Sequence, residues 1–558
     1  MLHLIIPQQT NRNNKMQALV FVLFSCTVQL YFSQPTFSLD TYPKNPDINI
    51  ISYDFYLKLH DVTDSIKGVA VLDIKTKDQP LAQFELDLIN VNESLKGHGM
   101  HVDSVLISSP NTYSTKFLHK KNRLAIVLEE EIAANTYFSA TVFYRGIPHD
   151  GLIISNNKFG DRTFFGDNWP NRARHWLPSI DHPYDKAFCT FSVETPIHYE
   201  VVASGTKIEE SFTNNNSKIT RWESQAPLAT KLMVIGVAKF AVQHLAEVDH
   251  IPVQSWVFPE NKVAGFYDYA MAPEILAFFN AKIGPFAYAK LANVQSKTRY
   301  GGMENASNIF YYENSVTGQR TIENLIAHEV AHQWFGDAVT EADWHHVWLS
   351  EGFATYFTNV YVEHKHGKDS MNRLLNKQKI QIAEYHKKAP TSSIIDLKVN
   401  KLTDLLNTNT YQKGAWVLHM LRYELGDELF FKGIKKYYQI FKNGNALTKD
   451  FQYVMEEVSG KSLDWFFEQW LYSPTLPSVK TAYKYNKRNK TLELTITQTQ
   501  ATKLFTYRLA VLFISDNEER VFKEFNIDKR ENRFEISLKN KPDKIVSDPY
   551  NNLLLYVE

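Results

Sequence analysis

His328-Glu329-Val330-Ala331-His332 is an H-E-x-x-H pentapeptide. Residues four apart in a helix lie one turn above each other, so both imidazoles project from one face and can share a metal ion. Glu329 lies beside them, placed to take a proton from a water on that ion. The pentapeptide alone is a weak signal. In a chain of 558 residues with 19 His, chance supplies such a match in about 3–4 of 100 cases. Two solvated histidines beside a surface glutamate are the plain alternative.

A metal site that does chemistry needs a third protein ligand and one open coordination position. Trp348-Leu349-Ser350-Glu351-Gly352 supplies a glutamate 19 residues beyond His332, at the start of a second helical run from Phe353 to Glu363. A helix, a turn and a return helix would bring Glu351 back against the histidines; otherwise it is only a charge at a helix N-terminus. Two imidazoles and one carboxylate suit zinc better than Mg²⁺ or Ca²⁺, which prefer oxygen ligands throughout. One Zn²⁺ per chain is therefore expected.

The elements that must position these residues follow from periodicity. Ile322, Leu325, Ile326, Glu329 and Val330 recur at spacings of three and four before Gly336, and Phe451, Val454, Met455 and Val458 do so before Gly460. Both read as helices with glycine stops. Upstream the period is two. Tyr53, Phe55, Leu57 and Leu59 alternate with polar neighbours, as do Ala70, Leu72 and Ile74, the pattern of half-buried antiparallel strands. Leu492, Leu494 and Ile496, then Leu509, Val511 and Phe513, repeat it near the end. The fold class expected is α+β and multidomain. An N-terminal antiparallel β domain (35–248) precedes a catalytic domain (249–476) and a short C-terminal β-sandwich module (477–558), with no large helical C-terminal domain.

Composition limits the partners. Lys+Arg and Asp+Glu are both 61, so no net charge draws the chain to nucleic acid or anionic lipid, and neither is expected to bind. Two cysteines, Cys26 and Cys189, exclude a disulfide framework and a thiolate zinc cage. Arg12 and Lys15 precede an apolar run from Ala18 to Phe32. Residues 1–34 thus read as a signal segment cleaved near Ser33-Gln34, with translation starting at Met1 or Met16. The run falls short of the ~20 apolar residues a membrane span needs. The mature protein is expected outside the cytoplasm, in the periplasm or cell envelope or secreted, as a monomer. A lipid anchor at Cys26 is a weaker alternative, because Phe24 fits such a site poorly.

Several ordered motifs together make the chain resemble the aminopeptidase N family of zinc metallopeptidases, among the gluzincins. Gly301-Gly302-Met303-Glu304-Asn305 resembles the exopeptidase signature, and His328–His332 with Glu351 the metal signature, in the context His332-Gln333-Trp334-Phe335-Gly336. Gly284-Pro285-Phe286 precedes them, and Tyr411-Gln412-Lys413-Gly414 and Phe466-Phe467-Glu468-Gln469-Trp470 follow. The resemblance implies a thermolysin-like α/β catalytic domain that hydrolyses the first peptide bond of oligopeptides bearing a free N-terminus. It implies His328, His332 and Glu351 as zinc ligands and Glu329 as general base. Tyr411 becomes an oxyanion donor, and Glu304 the partner of the substrate amine. Gly301 and Gly302, with Met303 and Asn305, would let an extended substrate run along the backbone.

Departures from the family qualify this. Where the family commonly has a second amine-binding Gln or Glu, Trp169 stands in Phe165-Gly166-Asp167-Asn168-Trp169-Pro170. Either Asp167 or Asn168 takes over, or Trp169 closes the first subsite by stacking. Thr358 stands where the family often has a glutamate supporting the metal site. A thermolysin-type zinc endopeptidase and an inactive peptide-binding homologue are the competing readings.

Overall fold

Alternating apolar residues become the buried face of strands. In a computed structural model that describes residues 40–558, apart from 110, 214–215, 400 and 516–518, Tyr53, Phe55, Leu57, Ala70, Leu72 and Ile74 are all at most 1% exposed. They lie on Ile48–Lys58 and Ile66–Thr76, neighbours in a nine-stranded sheet. The pairing is antiparallel except where Ile48–Lys58 runs parallel to Lys186–Pro196, so the N-terminal β region departs from a wholly antiparallel pattern at its centre. Each strand of that parallel pair keeps one face apolar, and Phe55 stacks on Phe191. Two smaller sheets of three and four strands complete the region. The expected signal segment, Met16 and Cys26 lie outside the described residues. Cys189 is buried as a free thiol.

The sheet that carries the Gly301–Asn305 motif has five strands, in the order Ala241–Val248, Ile251–Val257, Leu291–Ser296, Asn308–Tyr312, Gly302–Met303. Its three inner strands run parallel, and the two outer ones antiparallel to their neighbours. The boundary expected at 248 falls in the turn of the first hairpin, so this sheet begins with Ala241. Leu291–Ser296 is buried along its whole length, as a strand covered on both faces must be. Gly302–Met303 forms the short edge.

Helices Glu323–His332, Trp348–His366 and Gly414–Leu425 pack together below that edge. The first ends at His332, four residues before Gly336. Gly336 has φ +114°, and a Cβ there would lie 2.2 Å from Ser350 Oγ, so only glycine lets the chain turn this close to the return helix. That return helix begins at Trp348, earlier than the run from Phe353 suggested. Leu492, Leu494, Ile496, Leu509 and Val511 are fully buried in a four- and a three-stranded sheet. These sheets face each other through Phe525 and Phe534, whose ring centroids are 4.6 Å apart. No helix among the described residues is long and apolar enough to cross a membrane.

Candidate metal and substrate site

The helix turn separating His328 from His332 puts their Nε2 atoms 3.1 Å apart. Glu351, in the first turn of the return helix, reaches them with one oxygen: Oε2 is 3.2 Å from His332 Nε2 and 3.5 Å from His328 Nε2. In a tetrahedral zinc site with bonds near 2.0–2.1 Å, neighbouring ligand atoms are about 3.3 Å apart, which is the size of this triangle. His332 Nδ1 is 3.1 Å from the Phe335 carbonyl and 3.1 Å from Ser350 Oγ. Donation from Nδ1–H to that carbonyl leaves the Nε2 lone pair facing the triangle. Burial holds the His328 imidazole below its usual pKa and hence neutral, as a metal ligand must be.

Charge points the same way. Glu304, Glu329 and His332 form a second group whose ligand atoms lie within 4.8 Å of one another, so three buried carboxylates surround two imidazoles. Burial opposes charging His332, yet Glu351 and Glu304 push it up to about 10, favouring at Nε2 a proton that a metal ion would displace. Glu351 is buried too, and the charge of His332 with hydrogen bonds from both histidines still holds it well below the carboxylate range. Burial, reinforced by Glu304 and Glu351, raises Glu329 well above that range. Such a set is completed by a cation, and nitrogen with carboxylate oxygen suits zinc.

Tyr411 lies in a π-helical turn, Asn409–Lys413, that leads into Gly414–Leu425. A π-turn re-aims side chains that a regular helix would carry past the site. The Tyr411 ring stacks near His328 at 6.1 Å. Burial first, then Glu351, Glu304 and Glu329, raises its phenol well above its ordinary pKa, so the hydroxyl keeps its proton. Gly352 and Gly414 let the two helices meet: a Cβ on Gly352 would sit 3.1 Å from the Gly414 backbone.

Glu304 follows the edge strand and is buried, with Oε1 unpartnered among the described residues. Its backbone carbonyl accepts a 2.7 Å hydrogen bond from Gln333 Nε2, and Gln333 Oε1 accepts from Ser307 N at 2.8 Å. Gln333 therefore ties the signature loop to the metal helix. It stood in the quoted context His332–Gly336, but nothing in its type announced this task. The two glycines differ. A Cβ on Gly302 would lie 2.2 Å from Glu329 Oε1, whereas Gly301 meets nothing closer than 4.0 Å. Gly302 makes room for Glu329, and Gly301 leaves the edge open. Met303 is buried in the sheet, and both side-chain polar atoms of Asn305 are buried without partners among the described residues.

Asp167 and Asn168 are committed elsewhere. Asp167 pairs with Arg172 and accepts from Arg299 N. Asn168 donates to the carbonyls of Thr230 and Met233 and accepts from Trp176. Neither is free for a substrate amine. Trp169 is 2% exposed and packs edge-on to Trp344 and Tyr300. Beneath Trp344 lies a buried ion pair that no sequence pattern signalled, Lys231 Nζ to Glu341 Oε1 at 2.6 Å. The Thr358 hydroxyl donates to the Ala354 carbonyl, so it does not support the metal site.

Comparison with known proteins places these features in a family. The Peptidase family M1 domain matches residues 267–470, and the Peptidase M1 N-terminal domain matches residues 50–232. "Probable aminopeptidase 2" of Sulfurisphaera tokodaii is 28% identical over 459 residues, covering 79% of this chain and 56% of that protein. Glutamyl aminopeptidase of Sus scrofa is 25% identical, over 73% of this chain and 46% of its own length. The chain thus spans about half the length of these relatives. A crystal structure of Legionella pneumophila aminopeptidase A in complex with aspartic acid superposes with a TM-score of 0.80 at 17% identity, covering 93% of this chain and 60% of that one.

Proposed function

The chain belongs to peptidase family M1, and we propose that it is a zinc-dependent aminopeptidase that removes the N-terminal residue of oligopeptides. The observation carrying this reading is the buried Glu304 carboxylate, with one oxygen unpartnered, within reach of Glu329 and His332 at the open end of an edge strand. A substrate ammonium is the cation that this oxygen lacks. Anchoring it beside the metal triangle fixes the first peptide bond, and no later one, against the catalytic groups.

His328, His332 and Glu351 would hold one zinc ion. When bound, that ion supplies Lewis acidity, polarising the scissile carbonyl and acidifying the attacking water. Glu329 takes the water's proton and delivers it to the leaving amine. Its raised proton affinity in this buried, carboxylate-rich place suits a base that must hold and then release a proton. Tyr411, kept protonated, donates to the oxyanion as it forms. Gly301 leaves the strand edge free to pair with the extended peptide, and Gln333 holds Glu304 in register with the metal helix. Trp169, with Tyr300 and Trp344, closes the first subsite.

The apolar segment near the N-terminus, preceded by Arg12 and Lys15, supports export of the mature chain from the cytoplasm; N-terminal sequencing of the mature protein tests that. The activity is tested with an alanyl arylamide before and after N-acetylation. Hydrolysis of the free amine alone is expected. Equal hydrolysis of the blocked compound would exclude exopeptidase action and favour an endopeptidase.

A further inference from the structure

A second opening adjoins the metal triangle, and Glu304 is not part of its wall. It encloses about 330 Å³ between helices Glu323–His332, Trp348–His366 and Lys368–Lys388, and His328 and Tyr411 form part of its wall. Resting on the aminopeptidase reading, the direction of the substrate follows. With the amine at Glu304 and the carbonyl between the triangle and Tyr411, the peptide beyond the scissile bond must leave past His328 and Tyr411 into this opening.

Its chemistry is one-sided. Thr355, Thr358, Gln381 and Gln412 contribute neutral polar surface, and no carboxylate belongs to the wall. The Asn359 and Gln378 amides satisfy each other through two 3.1 Å hydrogen bonds. With the His328 imidazole neutral, Lys377 is the charged side chain of the wall among the described residues. It is exposed, and among the described residues it makes no ion pair or hydrogen bond. The Thr358 hydroxyl donates to its own helix, so no fixed acid on that turn neutralises the ammonium.

We infer that Lys377 is a specificity-determining residue: it selects peptides that present a carboxylate just beyond the scissile bond. That carboxylate is either an acidic side chain at the second position or the free terminus of a dipeptide. An exposed pair of this kind contributes a modest preference, roughly two- to fivefold in kcat/KM.

Four substrates separate the two sources: Ala-Glu-NH₂ against Ala-Gln-NH₂ for the side chain, and Ala-Gln free acid against Ala-Gln-NH₂ for the terminus. In the zinc-loaded wild-type protein, at least one carboxylate-bearing member is expected to be favoured about two- to fivefold. K377R should keep that ratio, K377A should bring it near one, and K377E should invert it. Equal rates within both wild-type pairs, or a preference unchanged in K377A and K377E, would overturn the assignment. An alanyl arylamide, which has no such carboxylate, reads the underlying activity separately. A wild-type protein that leaves it intact would overturn the aminopeptidase reading itself.

Discussion

Glu329→Gln keeps the volume of the side chain against Gly302 and leaves His328, His332 and Glu351 untouched, but an amide cannot take the water's proton. Zinc content is therefore expected to stay at one per chain while kcat falls about 10²–10⁴-fold; near-normal turnover in a zinc-loaded variant would refute the base assignment. Tyr411→Phe removes a donor that acts chiefly once the oxyanion forms. It should lower kcat about 10²–10³-fold with little change in KM, and an effect confined to KM would give the hydroxyl another task. At this scale the sequence was most legible for residues whose spacing is set by one helix turn. His328 and His332 are legible because four residues fix their separation whatever surrounds them. Gln333 and the Lys231–Glu341 pair were not, because their partners come from distant chain segments and no local period links them.

Elements meet where side chains are absent. The return helix and the helix after Tyr411 touch at Gly352 and Gly414, which brings the phenol toward Glu351. Gly352→Ala gains about 1 kcal/mol of helix propensity, but its Cβ would lie 3.1 Å from backbone that cannot swing aside. Overpacking of about 1–3 kcal/mol outweighs that gain. Denaturant unfolding should show a net loss of stability together with a fall in kcat; a more stable, fully active variant would mean the helices have slack. A second test concerns the strand Lys186–Pro196. Burial pushes the neighbouring Asp185 carboxyl up to about 7, against Lys77 and the Ile50 backbone, and its Oδ2 is unpartnered among the described residues. The folded chain therefore holds this proton at pH values where the unfolded chain has lost it. The group's contribution is full below about pH 4 and is lost as pH rises through 7. Asp185→Asn should melt above the wild type at pH 8, its unfolding free energy higher by on the order of a few kcal/mol, and alongside it below pH 4. Melting curves offset equally at every pH would show that Asp185 is not protonated in the fold.

For the whole molecule, the metal is expected to contribute stability as well as activity, since the triangle joins two helices and the carboxylates of Glu351, Glu304 and Glu329 crowd around it and repel without a cation. Dialysis against a chelator should abolish arylamide hydrolysis and lower Tm, and zinc, but not Mg²⁺, should restore both. Retained activity at vanishing zinc content would rule out the metal site. Period two and period 3.6 in the sequence determined which stretches are sheet and which are helix, because burying one face of an element depends only on local spacing. The H-E-x-x-H turn and the glutamate of the return helix were determined in the same way. Tertiary structure alone decided the rest. It set the parallel pair at the centre of the β region, committed Asp167 and Asn168 to structural partners, and made Gly302 a seat for Glu329. It also opened the Lys377 wall beside Tyr411. Each depends on which distant surfaces come into contact, and a local pattern of polarity carries no record of that.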